Sequence, residues 1–77
     1  MNWQLLKNVN PPRGVVLELY ATDFNSVLFA ERNKDTDEIS IGTGFNGGKI
    51  RDSYRMSYER FKEKFGSDVY WSLFIKP

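Results

Sequence analysis

The first strand is predicted by the alternation of apolar and polar residues over positions 15–20. Val15, Leu17 and Leu19 occupy every second position there, which is the period of a strand that buries one face. The preceding residues 10–14 contain two prolines and a glycine, and are typical of a turn because proline fixes φ and glycine relaxes it. We therefore expect a strand whose side chains at Val15, Leu17 and Leu19 face the core.

Two further strands are predicted along the next stretch of chain. Residues 27–32 begin with β-branched and aromatic side chains and follow turn-forming residues at 23–26, which favours a hairpin with the first strand. The polar residues 33–38 separate this hairpin from the alternating segment 39–41, which adds a third strand. An antiparallel meander is expected.

Residues 42–49 are rich in glycine, which predicts a flexible segment without regular structure unless other parts of the chain support it. Residues 42–47 also match the G-x-G-x-x-G pattern of dinucleotide-binding loops. That motif opens a helix inside a β-α-β unit, whereas this chain continues with Gly48-Lys49-Ile50-Arg51. We therefore expect a loop that connects strands or recognises a partner, and no cofactor.

A helix is predicted within residues 52–65. Four aromatic residues recur there at spacings of four, three and four, and therefore share one helix face: Tyr54, Tyr58, Phe61 and Phe65. Gly66 stands where a helix C-terminal cap is expected, and Ser53 or Ser57 is a suitable N-cap. The stripe is expected to pack against the sheet.

The final segment, residues 69–75, is apolar at nearly every position, which predicts a central strand covered on both faces. Trp3, Leu5 and Leu6 form a smaller apolar group that closes one end of the core. The predicted fold is therefore α+β: residues 1–77 form a single domain with a small antiparallel sheet of three to four strands and one amphipathic helix before the last strand.

Composition excludes most catalytic chemistry. The 77 residues contain two Trp, four Tyr and six Phe but no His or Cys, so the triads and dyads built on imidazole or thiol are absent. The common zinc sites lack their ligands for the same reason. The carboxylates at 35–38 match a solvated turn better than a cation site, because the spaced ligands of a calcium loop are missing. We expect no enzyme, no catalytic residue, no metal and no cofactor.

Charge is distributed unevenly along the chain. The net charge is +1, with four Lys and Arg against six Asp and Glu in residues 1–48, and seven against four in residues 49–77. Basic residues alternate with aromatic ones over residues 49–64, which is the mixture that neutralises phosphates and stacks on bases. The other interpretation is that these aromatic residues form the buried face of the helix.

Three aromatic residues, Tyr20, Phe24 and Phe45, have no place on the alternating core faces. They either anchor a protein partner or complete a small core. No apolar run is long enough to span a bilayer, and a cytoplasmic protein without membrane contact is expected.

The two ends of the chain resemble a family of small phage and prophage proteins of unknown function. The resemblance rests on Trp3, on Asn10-Pro11-Pro12, on Gly14-Val15-Val16-Leu17 and on a closing segment, residues 70–77, that contains Trp, Leu and Pro. The middle departs, since that family has a short glycine and aromatic region where this chain has its predicted helix. The resemblance implies a viral origin and the cytoplasm of a host cell, and it supplies no catalytic residue.

These observations favour a non-enzymatic accessory protein that binds a host or viral protein and inhibits or modulates a host enzyme or defence complex. The predicted contacts are Phe45, as part of an adaptable glycine loop, and the cations Lys49, Arg51 and Arg55. The alternative is a small nucleic-acid-binding protein that uses the basic and aromatic face of residues 49–64. A homo-oligomer is a third possibility, because so small a core gains from burial in a partner copy.

Overall fold

The computed structural model describes residues 3–22, Phe24 and 26–74, with the side chain of Ser67 left out. The predicted turn residues Asp23 and Asn25, and the end of the predicted last strand at Ile75, lie outside the described residues. Eight strands and one α-helix occur in the described part: β1 (Gln4–Leu5), β2 (Val16–Tyr20), β3 (Leu28–Arg32), β4 (Glu38–Gly42), β5 (Gly44–Asn46), β6 (Lys49–Arg51), β7 (Tyr54–Ser57), α1 (Tyr58–Phe65) and β8 (Tyr70–Leu73).

Six of these strands form one antiparallel sheet in the order β1-β8-β2-β3-β4-β7. The predicted α+β class with one helix before the last strand therefore holds, and so does the β2-β3-β4 meander. The prediction of three to four strands was too low. Both edge strands lie in segments for which no strand was predicted. β1 lies in the N-terminal apolar group, and β7 lies in the first turn of the predicted helix.

The helix begins at Tyr58, which is the later of the two starts that the candidate caps Ser53 and Ser57 allowed. Residues 54–57 instead extend the sheet by pairing with 38–41. Ser57 is the N-cap, and its Oγ accepts a hydrogen bond of 3.1 Å from the Arg60 backbone N–H. Pairing with β4 satisfies the backbone N–H and C=O groups that one more helical turn would have satisfied internally. Because residues 54–57 are not helical, Tyr54 does not belong to the aromatic stripe and is 51% exposed.

The core lies between one face of this sheet, here called the helix face, and α1. Eleven hydrophobic residues are buried in it: Leu6, Leu17, Leu19, Ala21, Ala30, Ile39, Ile41, Tyr58, Phe61, Val69 and Trp71. Phe65 packs against this cluster, so three of the four stripe residues pack on the core. Val15 was expected in the core but is 41% exposed, because it precedes β2.

A two-stranded ribbon, β5 and β6, lies on the opposite face, here called the ribbon face. The segment was expected to lack regular structure unless other parts of the chain supported it, and the sheet supplies that support. Gly47 and Gly48 have φ of 62° and 77° and form the two-residue turn. Gly42 lies beneath the ribbon, where a Cβ atom would collide with the Arg51 carbonyl oxygen and come within 2.5 Å of Ile50.

The last strand, β8, has neighbours on both sides, as expected of an internal strand. The expected coverage of both its faces holds in the middle of the strand, where Trp71 and Ser72 are buried on opposite faces, but not at its ends, where Tyr70 and Leu73 are 37% and 45% exposed. The N-terminal segment contributes Leu6 to the core. Tyr70 lies on the ribbon face and is partly exposed to solvent.

Candidate functional site

An aromatic patch formed by Trp3, Tyr20 and Tyr70 lies at one end of the ribbon face. Tyr20 ends β2 and stands directly opposite Tyr70 in β8, whose other neighbour in the sheet is Leu5. Trp3 immediately precedes β1, and its ring centroid lies 6.2 Å from that of Tyr20 at an interplanar angle of 56°. The three rings line a concave pocket of about 410 Å³.

Strand alternation explains why these rings remain outside the core. Leu19 and Trp71 are buried on the helix face, so their chain neighbours Tyr20 and Tyr70 point the other way. The ribbon covers the sheet near β3 and β4 and does not reach this end. Tyr20 is 42% exposed and Tyr70 is 37% exposed, so the patch is an aromatic surface in contact with solvent.

Glu18 shares the ribbon face with the patch. It precedes Tyr20 by two residues in β2, so the two side chains lie about 6 to 7 Å apart along the same face. Glu18 is half-buried and stands opposite the buried Ser72. The described residues form no salt bridge with its carboxylate. The patch is consequently bordered by one acidic group.

Phe45, a predicted partner contact, anchors the ribbon to the sheet. Its ring centroid lies 6.1 Å from that of Phe29 and 5.0 Å from that of Phe74. Phe45 stands opposite Ile50 in the ribbon, and both side chains therefore face the sheet. The ring is half-buried, and it holds the ribbon in place.

Phe24 also packs inward, with its ring 6.0 Å from that of Phe65 in an edge-to-face arrangement. Of the three aromatic residues without an evident place in the core, Phe24 and Phe45 complete the packing on the two faces of the sheet. Tyr20 is the one that remains exposed.

The predicted basic contacts lie toward the other end of the ribbon face. Lys49 and Arg51 alternate with the inward Ile50, so both point away from the sheet and are exposed. Arg55 lies on the edge strand β7, opposite Ser40. Its guanidinium lies 3.8 Å from the Glu38 carboxylate, and both side chains are largely exposed. The structure thus brings the three predicted cations to one region and separates them from the ring of Phe45.

The basic and aromatic segment 49–64 does not form one surface. Its C-terminal cations are carried by α1 on the helix face, where Lys62 Nζ lies 5.2 Å from the centroid of the Tyr58 ring. Tyr58 and Phe61 are buried in the core and offer no face to a base. Lys49, Arg51 and Arg55 are therefore separated by the sheet from the basic residues of the helix.

Burial raises the pKa of the Tyr58 phenol, while the nearby Arg32 lowers it and Asp37 raises it further. The phenol donates a 2.8 Å hydrogen bond to Asn10 Oδ1. This pair joins α1 to the N-terminal loop within the core and has a structural role.

The carboxylates predicted to form a solvated turn do so. Asn33 Oδ1 accepts hydrogen bonds from the backbone N–H groups of Asp35 and Thr36 at 2.8 and 3.0 Å. Within residues 3–22, 24 and 26–74, no cluster of three His, Cys, Asp or Glu side chains is placed to hold a metal ion. In the same part of the chain, no helix has the length and apolar character required to cross a membrane.

Sequence reasoning singled out Tyr20 but did not assign Trp3 and Tyr70 to a surface. Trp3 was assigned to the core and Tyr70 to a strand covered on both faces. The strand registers bring the three rings together. A usable signal was present, because Tyr20 directly follows Leu19 and Tyr70 directly precedes Trp71, and these two neighbours are buried on the other face of their strands.

Neither a protein-family model, nor a curated protein, nor a solved structure matches this chain.

Proposed function

We propose that this protein is a non-enzymatic binding module that recognises another protein through the aromatic patch of Trp3, Tyr20 and Tyr70. The observation that carries the proposal is a concave pocket of about 410 Å³ lined by three large rings, of which Tyr20 and Tyr70 are exposed and Trp3 is half-buried. A domain of this size needs its aromatic residues for the core. Rings kept outside it are natural anchors for a partner.

The residue types and their support favour protein recognition. Trp and Tyr are enriched among the residues that dominate binding energy at protein interfaces. Tyr20 and Tyr70 are held by paired strands, so little side-chain and backbone freedom is lost on binding. The pocket is built on the sheet, which makes it largely preformed.

A second contact region is proposed at the outer face of the ribbon and the neighbouring edge strand, with Lys49, Arg51 and Arg55. Exposed charges at the rim of an interface mainly increase the association rate and select the partner. Arg55 is already near Glu38, so Lys49 and Arg51 are expected to contribute more. Phe45 supports this region by holding the ribbon against Phe29 and Phe74.

The two ends of the chain resemble small phage proteins, and this resemblance suggests which kind of partner the protein binds. On that basis the proposed partner is a host enzyme or defence complex, which the protein inhibits or modulates in the host cytoplasm. Inhibition of this kind needs a shaped surface and no active site.

The test is capture of partners from a bacterial lysate by the tagged protein, with and without nuclease, followed by mass spectrometry. A stoichiometric protein that survives nuclease and is lost with Trp3→Ala supports the proposal. Tyr54→Ala is the matched control, because Tyr54 is an exposed tyrosine at the opposite edge of the sheet. Capture that is unchanged by Trp3→Ala contradicts the assignment of the patch.

Three further outcomes belong to the alternatives. Bound material that disappears with nuclease, and whose affinity falls steeply with salt, indicates nucleic acid held by the cations. Loss of capture with Lys49→Glu and Arg51→Glu but not with Trp3→Ala moves the contact to the ribbon. Sedimentation at several concentrations detects a homo-oligomer.

A further inference from the structure

We infer that the aromatic patch receives an arginine side chain of the protein partner, with the guanidinium stacked on the rings of Trp3 and Tyr20 and paired with the carboxylate of Glu18. The inference rests on the proposed protein-binding function and specifies the chemistry of the partner. It follows from the geometry of the rings, from the neighbouring acid and from a site of the same kind inside this protein.

The ring geometry admits a cation between two faces. A cation is attracted to an aromatic face when it lies within about 6 Å of the ring centroid. The centroids of Trp3 and Tyr20 are 6.2 Å apart and their planes are inclined at 56°, so a single cation in the pocket can lie within this distance of both rings. Tyr70, opposite Tyr20, forms the third side of the pocket.

Charge at this end of the sheet also favours a cation. Glu18 lies on the same face, two residues before Tyr20. The described cations of the ribbon face, Lys49, Arg51 and Arg55, lie on the ribbon strand β6, which covers the sheet near β3 and β4, and on the edge strand β7. A positive group entering the pocket therefore meets aromatic faces and a carboxylate, with no nearby positive charge from those three residues.

Arg32 shows the same combination within the protein. Its guanidinium carbon lies 3.8 Å from the centroid of the Tyr58 ring, and one of its nitrogens lies 3.7 Å from the Asp37 carboxylate. Tyr20 and Glu18 offer an arriving guanidinium the same two partners, a tyrosine face and an acid. Trp3 adds a second ring, and Trp faces attract cations most strongly.

Arginine fits better than lysine for a chemical reason. The pocket is lined by aromatic rings and offers few acceptors for the three N–H groups of a hydrated ammonium. A guanidinium is planar and weakly hydrated, and it stacks on a ring while its edge donates to a carboxylate.

Three acetylated tripeptides test the inference: Gly-Arg-Gly, Gly-citrulline-Gly and Gly-Lys-Gly. Citrulline keeps the planar shape of arginine and removes the charge. Binding is followed by NMR at the indole N–H of Trp3. Trp71 is an internal reference, because its Nε1–H is bonded to the Val9 carbonyl oxygen at 2.8 Å and the residue is only 6% exposed.

We expect the arginine peptide to shift the Trp3 signal and to bind about fivefold more tightly than the citrulline peptide, the size of effect typical of a cation on an exposed ring. Glu18→Gln should weaken the arginine peptide and leave the citrulline peptide unchanged. Equal binding of arginine and citrulline overturns the inference, and so does equal binding of arginine and lysine. A shift no larger than that produced by the same concentration of sodium chloride also overturns it.

Failure of this inference is distinguishable from failure of the proposed function. If the arginine peptide shows no preference but Trp3→Ala still abolishes partner capture, the patch binds a partner through other chemistry. If Trp3→Ala leaves capture intact, the assignment of protein binding to the patch fails, whatever the peptides show.

Discussion

The guanidinium carbon of Arg32 lies 3.8 Å from the centroid of the Tyr58 ring. Arg32 belongs to β3 and Tyr58 begins α1, so this contact joins the helix to the middle of the sheet. Arg32 also donates a 2.8 Å hydrogen bond to the Pro11 carbonyl oxygen, and its side chain is only 11% exposed. One side chain thus connects the helix, the sheet and the N-terminal loop.

Replacing Arg32 by methionine is expected to lower the free energy of unfolding by about 2 kcal/mol, because the stacked cation and a charge-assisted hydrogen bond are lost while most of the apolar stem remains. Urea denaturation measures the change. Arg13→Met is the control: Arg13 also lies near Asp37 but its side chain is 44% exposed, and its loss should cost less than about 1 kcal/mol. Equal costs would contradict the structural role of Arg32.

Tyr58 is expected to make stability depend on pH in the alkaline range. Its pKa is raised above the ordinary 10.0, so folding favours the neutral phenol. The stabilisation is fully present below the pKa of unfolded tyrosine and is lost as pH rises through the higher pKa of the folded state. The difference in unfolding free energy between the native protein and Tyr58→Phe should therefore shrink above about pH 10. A difference that stays constant as the pH rises through this range would contradict the prediction.

Gly42 is expected to be required for docking of the ribbon. Alanine there would place its Cβ within 2.5 Å of Ile50 and against the Arg51 carbonyl oxygen. Clashes of this kind cost about 1 to 3 kcal/mol, and they are relieved if the ribbon separates from the sheet. Altered ring signals of Phe29 and Phe74 in NMR spectra would report the separation. In Gly44→Ala the nearest atom lies at 3.8 Å, so this control should keep the native spectrum.

Phe45 is expected to contribute to stability more than to direct contact with a partner. Phe45→Ala removes a half-buried ring from the cluster with Phe29 and Phe74 and should lower the free energy of unfolding by about 2 kcal/mol. Lys49→Ala, on the outer face of the same ribbon, should change it by less than about 0.5 kcal/mol. Thermal unfolding of both variants decides between the two roles: an unchanged melting temperature for Phe45→Ala would restore Phe45 as a free contact.

Ser57 is expected to determine where the helix begins. Its Oγ accepts a hydrogen bond from the Arg60 N–H at 3.1 Å, and its replacement by alanine should cost about 1 kcal/mol. Ser53 was an equally suitable cap by sequence but lies in the exposed connection before β7. Ser53→Ala should therefore leave the denaturation midpoint in place, and a comparable loss from both variants would contradict the observed start of α1.

Local pattern was enough to predict several elements of the fold. The alternation in residues 16–20 identified β2, and Leu17 and Leu19 are buried as expected. The helical spacing of Tyr58, Phe61 and Phe65 predicted their common face. These predictions succeed because burial of one face imposes a period of two on a strand and of about 3.6 on a helix.

Long-range pairing decided what the local pattern left open. Residues 54–57 have the spacing of a helix but form β7, because β4 offers them a partner. Residues 44–51 are glycine-rich but form a ribbon, because Phe45 and Ile50 pack against the sheet.

The candidate site depends most on tertiary structure. The sequence by itself determined the supply of aromatic residues and the absence of His and Cys. The tertiary structure decided that Trp3, Tyr20 and Tyr70 line one pocket at the surface, while Phe24 and Phe45 pack inward. The reason is physical: strand alternation assigns a side chain to a face, but the strand order and the area covered by the ribbon determine which part of that face remains in water.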